Sequence, residues 1–93
     1  MSKVVELIQS HGDRYEDPHV WLKQELGLPE WYGHNLDALW DSITGHLPRP
    51  LEIRWIADSE QDQRYAAIVE VFRDAADQYE DIGFEYMSSP QES

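Results

Sequence analysis

Ninety-three residues, 41 % of them hydrophobic and eleven aromatic (4 Trp, 5 Tyr, 2 Phe), suffice for one packed domain and leave no room for a second core. Nineteen acidic residues against seven basic ones give a formal charge of −12, which argues against direct binding of nucleic acid phosphates or anionic membranes and favours a basic protein as partner. Cysteine is absent, which excludes a disulfide framework, a thiolate nucleophile and a cysteine-based metal site.

The opening stretch "MSKVVELIQSHGD" carries one Lys, and Glu6 interrupts its apolar run. It is therefore no signal peptide, and nothing downstream is long enough to span a bilayer, so a cytoplasmic protein is expected. "KVVELIQ", residues 3–9, is short and begins with β-branched residues, which predicts a strand. His11-Gly12-Asp13 breaks it. "DPHVWLKQELG" reads as a helix with Asp17 as N-cap, Pro18 at the first position, Leu22 and Leu26 on one face and Gly27 as its stop. "LPEWYG", residues 28–33, is a loop with two adjacent aromatics.

"NLDALWDSITG", residues 35–45, is the next predicted helix. Asn35 is its N-cap, and Leu36, Leu39 and Ile43 form an apolar stripe flanked by Trp40. Gly45 occupies the place of a left-handed cap. "HLPRP" is a stiff connector whose Arg49-Pro50 bond can take either isomer. "LEIRWIA", residues 51–57, alternates apolar and charged residues as a half-buried strand does. A long amphipathic helix follows over about 60–79, burying Tyr65, Ile68, Val69, Phe72, Ala75, Ala76 and Tyr79. "DIGFEYM" closes as a third strand, and residues 88–93 read as a frayed tail. Helical material separates each pair of strands, which predicts an α/β domain over 1–93: a small three-stranded parallel sheet packed by helices.

The charge pattern of the 35–45 helix is its unusual feature. Asp37 and Asp41 stand four residues apart on one face, where like charges cost about 0.2–0.5 kcal/mol. Asp41 is also expected in the last turn, where the helix dipole disfavours an anion by about 0.3–1 kcal/mol. Two arrangements make sense of this. His34, Asp37 and Asp41, at i, i+3 and i+7, form a stripe suited to a divalent cation in a small metal-dependent hydrolase. Alternatively, Trp31 and Tyr32 in the loop, the two aspartates and His46 after the cap form an anchoring patch for a basic cleft. An arginine can take such carboxylates bidentately, as it takes phosphates. A third reading keeps the acidic patch but assigns it a basic partner that is not a nuclease. No G-x-G-x-x-G or P-loop is present, Ser42 has no nucleophile elbow, and nothing implies a cofactor.

"LGLPEWYGHNLDALWDSITGHLPRPLEIRW" closely resembles the barstar family, intracellular inhibitors of barnase-type secreted ribonucleases. "VVELI" and "VFRDA" extend the resemblance to nearly the whole chain. It implies a parallel three-stranded sheet with helices, and a one-to-one complex in which an acidic helix and its preceding loop plug a ribonuclease active site without catalysis. By matching position, Asp41 corresponds to the central acid facing the catalytic basic residues and Asp37 to the second, while Trp31 takes the place of an aromatic that packs on a catalytic histidine. Tyr32, Gly33, Asn35, Trp40, Thr44, Gly45 and His46 complete the implied partner-binding segment, and Asp74 in "VFRD" matches a peripheral acid. Departures lie at the rim. Trp31 replaces a tyrosine, His46 a tryptophan and Asp74 a glutamate, and Ser42 stands where the family has a cysteine. Retained acids with an altered rim imply the same binding mode with a different or relaxed partner choice, because the rim sets specificity.

Overall fold

The structure, a computed structural model, describes residues 3–59 and 63–88. Strands β1 (Lys3–Ile8), β2 (Leu51–Ala57) and β3 (Ile82–Ser88) form one sheet in the order β1-β2-β3, with both pairs parallel. Helices α1 (Gln9–Gly12), α2 (Pro18–Leu26) and α3 (Leu36–Gly45) lie between β1 and β2, and α4 (Gln63–Gln78) lies between β2 and β3. The expected α/β class and parallel three-stranded sheet are therefore present, with one helix more than the sequence suggested.

Period-two alternation places the sheet against the helices. Val5 and Leu7 of β1, Leu51, Ile53 and Trp55 of β2, and Ile82 of β3 are buried. The intervening residues are accessible, with Val4 56 % exposed. Arg54 pairs in register with Glu6 and Glu85 on this second face, its Nε 3.2 Å from Glu52 and 3.8 Å from Glu85. Charge thus replaces the second helical layer that parallel sheets commonly have. Beneath the first face, Trp21 of α2, Trp55 of β2 and Tyr65 of α4 meet edge-on, with ring centroids 5.4–5.8 Å apart. Each such pair adds about 0.5–1.5 kcal/mol to the burial of its rings. Phe72 of α4 stacks on Phe84 of β3 and closes the other end.

Local expectations held where short-range chemistry dominates. Asp17 caps α2 through His19 N–H at 2.9 Å, Pro18 opens it, and Gly27 ends it at φ 68°, where a side chain would be strained. Elsewhere tertiary contacts changed the outcome. Gln9 does not extend β1 but starts the single turn α1. Its buried amide donates to the Ser59 carbonyl (3.2 Å) and hydroxyl (2.9 Å) and accepts from Trp55 Nε1 (3.0 Å). The left-handed cap expected at Gly45 is not formed. Gly45 is the last helical residue, and the N–H groups of His46 and Leu47 both return to the Ser42 carbonyl at 3.0 and 2.9 Å. Burial of Leu47 draws the chain inward there.

Leu36, expected in the apolar stripe of α3, is 38 % exposed, and the buried face consists of Leu39, Ser42 and Ile43. The Arg49-Pro50 bond is cis. Residues 60–62 of the long predicted helix, and 89–93 of the tail, lie outside the described residues.

Candidate functional site

The loop between α2 and α3 is shaped by what it buries. Leu28 is buried beside the Gly27 turn, and Tyr32 N–H bonds the Pro29 carbonyl at 3.0 Å. Adjacent aromatics then part. Tyr32 turns inward, 4 % exposed, with its hydroxyl 2.8 Å from His19 Nδ1, whereas Trp31 stands out at 74 % exposed. Of the aromatic pair expected as anchors, Trp31 alone is free to meet a partner with its whole ring. Tyr32 offers a wall of the site and fixes the loop. Burial raises the Tyr32 phenol well above its ordinary value, with Asp17 adding to the effect, so it stays protonated.

Asn35 starts α3 with its side-chain oxygen accepting Ala38 N–H at 2.7 Å, and its amide donates to the Gly33 carbonyl at 3.1 Å. Gly33 has little spare room, because a Cβ there would lie 3.3 Å from both Ala38 Cβ and the Asn35 amide. The chain therefore enters the helix in one path. Asp37 falls in the first turn, favoured by the helix dipole. Asp41 is sixth of ten helical residues, ahead of the last turn where it was expected, so the dipole penalty on it is relieved. What persists is the like-charge pair. Both carboxylates are exposed, α3 has no basic residue in its last turn, and neither aspartate has an ion-pair or hydrogen-bond partner among the described residues.

A cleft of about 230 Å³ opens beside this row, bounded by Trp31, Tyr32, Gly33, Ala38, Asp41, Ser42 and His46. Its rim carries Trp31 edge-on to His46, with ring centroids 5.7 Å apart at 76°. Ala38 and Ser42 were not expected to contribute. Both are small, and they leave the space that the larger residues enclose. Ser42 is buried.

The remaining candidates sit around the cleft or away from it. Trp40 is half-buried against Tyr79, 6.4 Å between centroids, and Thr44 donates its hydroxyl to the Trp40 carbonyl at 2.7 Å. Gly45 is exposed at the helix end, and Asp74 is exposed on α4 and does not line the cleft. A larger groove of about 330 Å³ beside α4 is lined by Gln9, Tyr65, Val69, Arg73 and Tyr86, among others, and contains none of the acidic row.

The metal reading fails on backbone geometry. His34 precedes the N-cap, at φ 54°, so it is out of the helical register that would align it with Asp37 and Asp41. Its Nδ1 lies instead 3.4 Å from Asp17 Oδ2. Among the described residues no group of three His, Asp or Glu side chains is placed to hold a metal ion.

Fold and surface together define a small α/β protein with an acidic helix and an exposed loop tryptophan side by side on its surface. The model of the family described as "Barstar (barnase inhibitor)" matches residues 3–88. The chain belongs to the barstar family, in agreement with the resemblance carried by residues 26–55. It is also similar to a Bacillus subtilis (strain 168) protein named "Putative ribonuclease inhibitor YrdF", with 51 % identity over 35 residues. That match spans 38 % of this chain and 38 % of the relative.

Proposed function

We propose that this protein inhibits a basic ribonuclease, or a related toxin nuclease, by seating α3 and the 28–34 loop in its active site. The observation that carries this reading is the pair of exposed carboxylates, Asp37 and Asp41, without a cationic partner among the described residues and beside a tryptophan-rimmed cleft. Family membership supports it. Two fixed anions on one helical face match the spacing problem that a nuclease cleft solves for successive phosphates, and arginines that bind phosphate bind carboxylate in the same bidentate way. Trp31 covers an aromatic or cationic side chain of the nuclease, and His46 closes the cleft opposite it. The complex is one to one, the action is occlusion without catalysis, and it takes place in the cytoplasm of the cell it protects. No described helix is long and apolar enough to cross a membrane.

The altered rim at Trp31, His46 and Asp74 gives the protein a different or relaxed choice among such nucleases. A net charge of −12 speeds encounter with a basic enzyme and makes the association rate fall with salt. RNA cleavage by a barnase-type ribonuclease, and by basic nucleases of the source organism, tests the reading. Stoichiometric inhibition that Asp41→Ala abolishes supports it. Salt-sensitive binding of a basic protein with cleavage unaffected assigns the surface to a non-nuclease partner instead.

A further inference from the structure

Two contacts outside the acidic helix tie the loop that carries Trp31 to the start of α2. Asp17 uses one carboxylate oxygen to cap α2 and turns the other toward the loop. Oδ1 accepts His19 N–H at 2.9 Å and caps α2, while Oδ2 faces His34 Nδ1 at 3.4 Å, at the far end of the loop. His19 Nδ1 in turn meets the Tyr32 hydroxyl at 2.8 Å. The three rings group together: His19 and His34 stack at 6.5 Å and 16°, and Tyr32 lies 5.5 Å from His34 and 5.9 Å from His19.

His34 also holds a left-handed backbone at φ 54°, which residues other than glycine keep only where their surroundings over-determine it. Here the surroundings are visible: Asp17 and the His19 ring on α2, and Tyr32 within the loop. Trp31 lies directly before this anchored stretch, and Asn35, the cap of α3, directly after it. A shift of His34 therefore moves the exposed tryptophan relative to Asp37 and Asp41.

We propose that Asp17, His19 and His34 are positioning residues, which hold the 29–34 loop in its binding shape before a partner arrives. None of the three lines the cleft. Their effect on affinity rests on the inhibitor reading above, whereas their effect on the loop belongs to the free protein. Pre-organisation improves binding by removing the ordering cost from the association step.

The discriminating variants separate contact from fold. His34→Gly keeps the positive φ and removes the imidazole. His19→Ala removes the Tyr32 partner, and His19→Gln restores a hydrogen-bonding group there. Amide hydrogen exchange of Tyr32 in the free protein, referenced to the amides of β2, is the primary measurement. In His34→Gly and in His19→Ala the Tyr32 amide is expected to exchange roughly tenfold faster with β2 unchanged, and His19→Gln to return it toward the parent rate. Against a barnase-type ribonuclease the first two variants are expected to need about tenfold more protein for half-inhibition, with His19→Gln again recovering.

Unchanged Tyr32 exchange in both variants overturns the proposal, even if inhibition is weakened. A parallel loss of protection in β2 overturns it as well, since the residues then support the whole fold and not the loop. If the parent protein inhibits no nuclease while Tyr32 exchange responds as expected, the clamp stands and the inhibitor reading falls.

Discussion

Replacing Asp41 by Asn tests whether the acidic helix is built for a partner or for the fold. Its carboxylate is exposed and has no hydrogen-bond or ion-pair partner among the described residues, so its removal breaks no contact. Asp41 lies in mid-helix, where the dipole matters little, and Asn and Asp have similar helix propensities. The surviving effect is relief of the like-charge pair with Asp37, about 0.2–0.5 kcal/mol in favour of Asn. For a domain of this size that is a rise in melting temperature of about 1–4 °C at low salt.

Asp37→Asn gains the same relief but loses a favourable charge in the first turn of α3, about 0.3–1 kcal/mol. Its net effect therefore lies between about 0.8 kcal/mol of destabilisation and 0.2 kcal/mol of stabilisation. The two substitutions are chemically identical, and their difference in stability comes only from position along the helix. Both should weaken inhibition, by about 10- to 150-fold where a hydrogen bond to a charged group worth about 1.5–3 kcal/mol is lost. Thermal melts at low and high salt, paired with titration of nuclease activity, measure both quantities. A drop in melting temperature of more than about 3 °C for Asp41→Asn would show that the carboxylate has a native partner and serves the fold.

Asn35→Ala removes the acceptor for Ala38 N–H and is expected to cost about 0.5–2 kcal/mol, read from the urea midpoint. Gly12→Ala would place a Cβ 2.6 Å from the Trp21 ring in the core. An overpacking cost of about 1–3 kcal/mol is expected, with the same measurement as the check. Trp31→Ala should leave stability within about 0.5 kcal/mol, since the ring is 74 % exposed, yet reduce inhibition. Burial holds His19 below the ordinary histidine value, despite the opposing pull of Asp17, and His34 adds to the lowering. A folded state that binds this proton less readily is fully favoured above the unfolded value of about 6.5 and loses stability as pH falls below it. His19→Gln should therefore lose less stability than the parent between pH 7.5 and 5.5 in paired urea titrations.

Features that depend on near neighbours were legible in the order of residues. Asp17, Pro18 and Gly27 bound α2, Asn35 starts α3, and the alternation of residues 51–57 makes β2, because caps, turns and pleats are satisfied within a few residues. Residues 26–55 also carried the family. Tertiary structure decided the rest. Trp31 and Tyr32 read alike in sequence, but Tyr32 has His19 within reach, and the parting of an exposed ring from a buried one depends on a helix thirteen positions back. Gln9 left β1 because Ser59 and Trp55, far along the chain, claim its amide. Gly45 lost its left-handed role when Leu47 was drawn into the core, and His34 was taken from the acidic stripe by a backbone turn toward Asp17. Each of these turns on a contact between distant residues, and periodicity and capping signals carry no information about which distant residue will arrive.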